Sequence, residues 1–142
     1  VNPSILSDRI FGPGGFPVIA GGAPKNYFAG AFTAGPKVID IVNNRLSIVH
    51  DGSPKFVDNV YKIIFSGDQA MKYKKEILYV TERAVFKLTE KGLTLEEVSP
   101  GIDIDRDILS KMEFRPIIAT PLKQMDERLF GVGKLGLREE IF

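Results

Sequence analysis

Residues 76–118 read EILYVTERAVFKLTEKGLTLEEVSPGIDIDRDILSKMEFRPII, and the local signals in them agree on one structure. Glu76–Thr81 is a short apolar, β-favouring run, and Ala84–Thr89 is a second. In the second, Val85, Lys87 and Thr89 alternate with Phe86 and Leu88, the period of two that suits a half-buried strand. Glu90, Lys91 and Gly92 make a turn, in which Gly92 is free to take positive φ. Leu93–Val98 is predicted as a third strand with one wet face, and Pro100-Gly101 ends the sheet. Asp103 is placed to cap a helix, with Asp105 and Asp107 adding negative charge to its first turn. Ile104, Ile108, Leu109 and Met112 fall on one face of that helix. The unit is strand, hairpin and capped helix: a fold fragment, without chemistry of its own.

Working outward, the chain of 142 residues suits a single domain over 1–142, and at this size about two thirds of the unfolded chain's surface is buried on folding. A net charge of +1 supplies no basic field for nucleic acid or an anionic membrane. Cysteine is absent, which excludes disulfides and thiolate metal sites and fits a cytoplasmic chain. No apolar run approaches the roughly 20 residues of a membrane span. The chain begins at Val1, with a turn-like Asn2-Pro3-Ser4 and nothing before it, so it is expected to be a piece of a longer protein.

Phe11–Phe16, FGPGGF, cannot continue a helix or strand. Such a loop exposes backbone N–H groups that suit an oxyanion or a phosphate; the simpler reading is a sharp turn where two backbones pass closely. Asn26–Thr33 suits a buried strand with Gly30 where another backbone approaches, and Val38–Val42 and Leu46–Val49 suit a hairpin turning at Asn43-Asn44-Arg45. His50, the one histidine, has no second histidine or cysteine to share a metal and reads as a surface residue. The first part of Phe56–Phe65 suits a helical turn and Lys62–Phe65 a strand, with a spacing that does not decide between the two. Lys72, Lys74 and Lys75 beside Tyr73 read as a solvated face, with an acidic partner such as a nucleotide phosphate as the alternative. Pro121–Phe130 is predicted as a short helix with Leu122, Met125 and Leu129 on one face. Gly131–Gly136 matches G-x-G-x-x-G, but too few residues follow for a dinucleotide fold, and a tail is the better reading.

FGPGGF at 11–16, AGAFTAG at 29–35, IIFSG at 63–67, LYVTERAVFKLTEKGLTLEEVSPGIDIDRDIL at 78–109 and FRPIIA at 114–119 together resemble the C-terminal part of the family I coenzyme A transferases. The resemblance is to their acetate or propionate branch and covers nearly the whole chain. It implies an α/β fold, with a mixed sheet, flanking helices and a β-hairpin, forming the C-terminal segment of the enzyme's second half. It also implies ping-pong transfer of CoA from an acyl-CoA to a small carboxylic acid, as in short-chain fatty acid metabolism. A glutamate attacks the thioester, an acyl-glutamyl anhydride forms, and the departing CoA thiolate converts it to a glutamyl-CoA thioester.

The family's nucleophile lies in a Glu-x-Gly motif before the glycine loop. Here those letters occur only at Glu90-Lys91-Gly92, in the hairpin turn, so the nucleophile is expected in an upstream part of the same protein. Carried over, the N–H of Gly14 or Gly15 would donate to the oxyanion, while Gly12 and Phe16 would line the substrate site. Glu82 and Arg83 are read as a structural ion pair or turn, and Asp103 and Asp105 as helix-start residues. CoA enters as a substrate; no permanent cofactor or metal is expected. A cytoplasmic homo-oligomer is implied, without nucleic-acid or membrane partners. A non-catalytic binding or assembly module with the same fold is the rival class.

Overall fold

The computed structural model describes residues 15–60 and 63–136. Its main sheet has the order β1-β6-β7-β8-β9, formed by β1 (Lys25–Ala29), β6 (Glu76–Val80), β7 (Ala84–Thr89), β8 (Gly92–Val98) and β9 (Ile117–Gln124). The outer pairs β1–β6 and β8–β9 are parallel and the inner pairs antiparallel, so the sheet is mixed. A hairpin of β3 (Val38–Val42) and β4 (Arg45–His50) turns through Asn43 and Asn44, at φ 52° and 60°. Two positive φ values are what a tight two-residue hairpin turn needs, and asparagine tolerates them. The two-residue strands β2 (Thr33–Ala34) and β5 (Ser53–Pro54) pair with each other.

Two short α-helices flank the strands. In α1 (Phe16–Gly22) the last carbonyls are met by Lys75, whose Nζ donates to Gly21 at 2.7 Å and Ala23 at 2.6 Å, and by Asn26 Nδ2, which donates to Ala23 at 3.2 Å. Those are the acceptors a helix end leaves without an intrahelical donor. In α2 (Gly67–Lys72), Ser66 caps the start by accepting from the Gln69 N–H.

The hairpin β7–β8 turns at Gly92, with φ 125°, as its sequence requires. Asp103 caps as expected, accepting from the Arg106 N–H at 2.8 Å. The predicted helix is instead a π-helical turn over Ile104–Ile108 followed by a 3-10 turn over Leu109–Lys111. Its apolar face is nonetheless the expected one: Ile108 and Met112 are buried with Phe32, Ala84, Phe86 and Leu95, and Ile104 and Leu109 pack against them. The rings of Phe32, Phe56 and Phe86 form the centre, with centroids 5.0–6.2 Å apart.

Four expectations are corrected. β8 has no wet face along its length: Thr94 and Leu95, adjacent in sequence, are both buried, because β7 and β9 flank it and a bulge interrupts its alternation. Asn26–Thr33 is not one buried strand; β1 ends at Ala29 and, at the sheet's edge, buries only Asn26. Phe56 makes a single parallel bridge to Met112; of the strand expected over Lys62–Phe65, Lys62 lies outside the described residues and 63–65 form no strand. Pro121–Phe130 is not a helix: β9 runs to Gln124, a 3-10 turn occupies Glu127–Phe130, and Leu129 is exposed while Met125 is buried. Pro121 is tolerated because β9 is an edge strand and Ile118 and Lys123 bracket a register shift there.

Candidate functional site

The link between β6 and β7 carries Glu82 and Arg83, and the whole Arg83 side chain is buried. Its guanidinium donates to Asp51 Oδ2 at 2.8 Å and Oδ1 at 3.1 Å, to Glu82 Oε1 at 3.0 Å and to the Asp107 carbonyl at 3.0 Å. It also stands 4.8 Å from the centre of the Phe32 ring. Burial alone would lower the Arg83 pKa; the Asp51 and Glu82 carboxylates outweigh it and raise it. Burial likewise pushes the Asp51 carboxyl up, but hydrogen bonds from Arg83 and the Thr33 hydroxyl, with the Arg83 charge, hold it down at about 2. Every donor of this cluster is answered inside the protein, so Glu82 and Arg83 form the structural ion pair read from the sequence. The partner that sequence reasoning missed is Asp51, 32 residues from Arg83 in the chain.

At the C-terminal ends of the parallel strands β1 and β6 the chain opens a cavity of about 380 Å³. Its walls include Phe28, Phe56, Tyr79, Leu93 and Phe114, and its rim includes Gly30, Ala31, Thr81 and Lys55. Gly30 continues the β1 ladder by donating to the Val80 carbonyl at 3.0 Å. Lys55 Nζ crosses the end of β1 and donates to the Ala31 carbonyl at 2.8 Å. The Thr81 hydroxyl is occupied locally, donating to the Ala84 carbonyl and accepting from its N–H. Burial raises the Tyr79 pKa, so that wall stays neutral. The crevice beyond the carboxyl ends of parallel strands is where open α/β sheets bind ligands. Sequence reasoning missed Lys55: between Pro54 and Phe56 it carries no local signature.

Of the residues expected to line an oxyanion site, Gly12 and Gly14 lie outside the described residues, as does the Phe16 side chain. Gly15 is the residue before α1, exposed, with φ 80° and its carbonyl accepting from the Ile19 N–H. A Cβ built on it meets nothing within 4 Å, so its conformation rather than crowding is what favours glycine. Of the lysine cluster, Lys75 is committed to the end of α1, while Lys72 and Lys74 are exposed. His50 is exposed at the end of β4, and Gly131–Gly136 follows a 3-10 turn rather than a strand. Asp103 serves as a cap and Asp105 is exposed. Among the described residues no group of three or more His, Asp or Glu side chains is placed to hold a metal, and no helix is long and apolar enough to cross a membrane.

Comparison with protein-family models finds no match. Known proteins are informative. The acetate CoA-transferase YdiF of Escherichia coli is 46% identical over 126 residues, 88% of this chain and 24% of that protein. The caffeate CoA-transferase of Acetobacterium woodii is 45% identical over 126 residues, again 88% and 24%. The crystal structure of an E. coli acyl-CoA transferase (YdiF) in thioester complex with CoA superposes with a TM-score of 0.87 at 42% identity, over 95% of this chain and 27% of that one. The apoenzyme gives 0.86 at 44% identity, over 90% and 25%. The chain thus spans about a quarter of the length of the relatives it matches. In sequence and in fold, it matches the C-terminal part of a family I coenzyme A transferase.

Proposed function

We propose that this chain is the C-terminal segment of the second half of an acyl-CoA:carboxylate CoA-transferase, folding as one domain and supplying the oxyanion side of the site. The observation that carries the reading is the likeness, at 42% identity and a TM-score of 0.87, to a transferase solved as a thioester with CoA. In this reading a glutamate upstream attacks the acyl-CoA carbonyl and displaces the CoA thiolate. The thiolate then attacks the glutamyl carbonyl of the anhydride and releases the first carboxylate. The acceptor acid reverses both steps. Each addition places negative charge on a tetrahedral oxygen, and the N–H groups of Gly14 and Gly15 are the donors assigned to it. Gly12 and Phe16 line the substrate side.

Lys75 and Asn26 anchor the C-terminal end of α1 beside the starts of β1 and β6. Ala23-Pro24 links α1 directly to β1. Acyl-CoA, a small carboxylic acid and the upstream polypeptide are the partners, in a cytoplasmic homo-oligomer with CoA as substrate and no resident cofactor.

The test is incubation of the complete protein with acetyl-CoA, borohydride trapping and intact-mass measurement. A borohydride-sensitive glutamyl-CoA adduct mapping upstream of these residues is expected. Absence of any adduct together with absence of CoA exchange would overturn the reading in favour of a binding or assembly module.

A further inference from the structure

We infer that the cavity at the ends of β1 and β6 binds the apolar tail of a monocarboxylic acid larger than acetate, with the carboxylate on Lys55. The inference names the acid class for the reaction proposed above and rests on that reading only for its link to CoA transfer. The cavity measures about 380 Å³, far more than a single bound water needs. Acetate would leave most of its apolar wall wet. The wall of Phe28, Phe56, Tyr79, Leu93 and Phe114 favours a chain of several carbons or an aryl ring.

Lys55 is the one charged side chain among the residues lining the cavity. Its ammonium is held at the rim by the 2.8 Å bond to the Ala31 carbonyl, which leaves two of its three N–H donors for a ligand. Among the described residues no carboxylate forms an ion pair with it. Two other polar groups of the rim are spent: the Thr81 hydroxyl on Ala84, and the Gly30 N–H on Val80. One cation with two free donors suits a carboxylate, which carries a single charge on two oxygens. A phosphate monoester brings a second charge and a third oxygen, which this rim does not answer.

Gly30 offers a second handle. A Cβ there meets only Lys55 Nζ, at 3.8 Å, and Gly30 φ lies outside the positive range. Valine therefore fits the backbone and narrows the rim.

The experiment is calorimetric titration of the complete protein with hexanoate, 3-phenylpropionate, acetate and hexan-1-ol. Hexanoate and 3-phenylpropionate are expected to bind at least tenfold more tightly than acetate, which lacks the tail, or hexan-1-ol, which lacks the charge. Lys55→Met should weaken hexanoate roughly tenfold or more, the loss expected for a charge-assisted hydrogen bond. The same variant should leave hexan-1-ol unchanged, and Lys55→Arg should retain most of the affinity. Gly30→Val should abolish binding of both larger acids while circular dichroism stays native. Equal hexanoate affinity in the parent and in folded Lys55→Met, or no saturable binding of either larger acid, overturns the inference. CoA transfer from acetyl-CoA is assayed in parallel. Lys55-dependent binding without transfer sinks the proposed function alone; transfer to acetate with hexanoate binding indifferent to Lys55 and Gly30 sinks this inference alone.

Discussion

Replacing Asp51 by asparagine tests the most consequential interaction in the fold. The carboxylate takes two bonds from Arg83, at 2.8 and 3.1 Å, and one from the Thr33 hydroxyl at 2.6 Å. Asparagine keeps the size and one carbonyl but removes the charge. Breaking one partner of a buried pair costs about 3–5 kcal/mol, since the other charge stays buried. Arg83 retains Glu82 and the Asp107 carbonyl, which puts Asp51→Asn at the lower end, about 3 kcal/mol. For a domain of this size that lowers Tm by about 10 °C. Urea denaturation of parent and variant measures it as a drop in midpoint at unchanged slope.

Acid supplies a second readout. Asp51 in the folded protein titrates at about 2, below the ordinary 3.8. A depressed carboxyl contributes stability that is complete above the unfolded pKa and is lost as pH falls through the folded one. The difference corresponds to about 2 kcal/mol. The parent should lose that amount between about pH 5 and pH 1, and Asp51→Asn should lose correspondingly less over the same range. Adding Arg83→Met to Asp51→Asn should cost less than the two single costs together, because the second change removes the charge that the first left buried. An Asp51→Asn protein within about 0.5 kcal/mol of the parent, with the parent's acid sensitivity, would refute the assignment of Asp51 as the main counter-charge of Arg83.

Gly52→Ala should destabilise by about 3 kcal/mol in the same denaturation assay, because its Cβ would fall 1.9 Å from the Ala34 carbonyl oxygen and backbone must move. Gly21→Ala should do the opposite, gaining about 0.5–1 kcal/mol, since nothing lies within 4 Å of its Cβ and alanine is the better helix former. Lys75→Met should cost about 1–2 kcal/mol and speed hydrogen exchange of the Ala23 amide, which bonds Ile19, by freeing the end of α1. In the complete protein, Gly14→Val should cut CoA-transfer turnover sharply while the circular dichroism stays native, and an unchanged rate would remove the oxyanion role.

The local part of the fold was legible because its determinants are local. Gly92 at positive φ and the Asp103 cap are decided by residues within a few positions, and both are found. The paired asparagines of the β3–β4 turn belong to the same class. What failed depended on neighbours the sequence does not order. Leu122, Met125 and Leu129 have helical spacing, but β9 is held by parallel pairing to β8, which no spacing reveals. Thr94 reads as a wet-face residue, yet it is buried in a strand that lies between β7 and β9. Asp51 lies 32 residues from Arg83, and an arginine beside the alternating Ala84 and Phe86 was the one hint that a buried cation needs a counter-charge. The cavity was illegible for the same reason: its rim takes Gly30 from one strand end, Lys55 from a loop and Thr81 from another strand end.

Thr81 to Phe86 lie within the stretch that carries the family likeness, and Glu82 and Arg83 make most of its buried polar contacts. Their work is to tie distant segments to one point. The Glu82 carboxylate accepts the Phe32 N–H at 2.8 Å, and the Glu82 carbonyl accepts the Ser99 hydroxyl at 2.6 Å. Arg83 gathers Asp51 and the Asp107 carbonyl, and Thr33 in turn bonds Asp51. Gly30-Ala31, just before Phe32, is held against Val80-Thr81 by this knot, and those four residues form the cavity rim with Lys55. A lost link at Glu82 should then loosen the rim before it touches any reacting atom. The conspicuous glutamate and arginine thus contribute through position, as the point where distant segments meet.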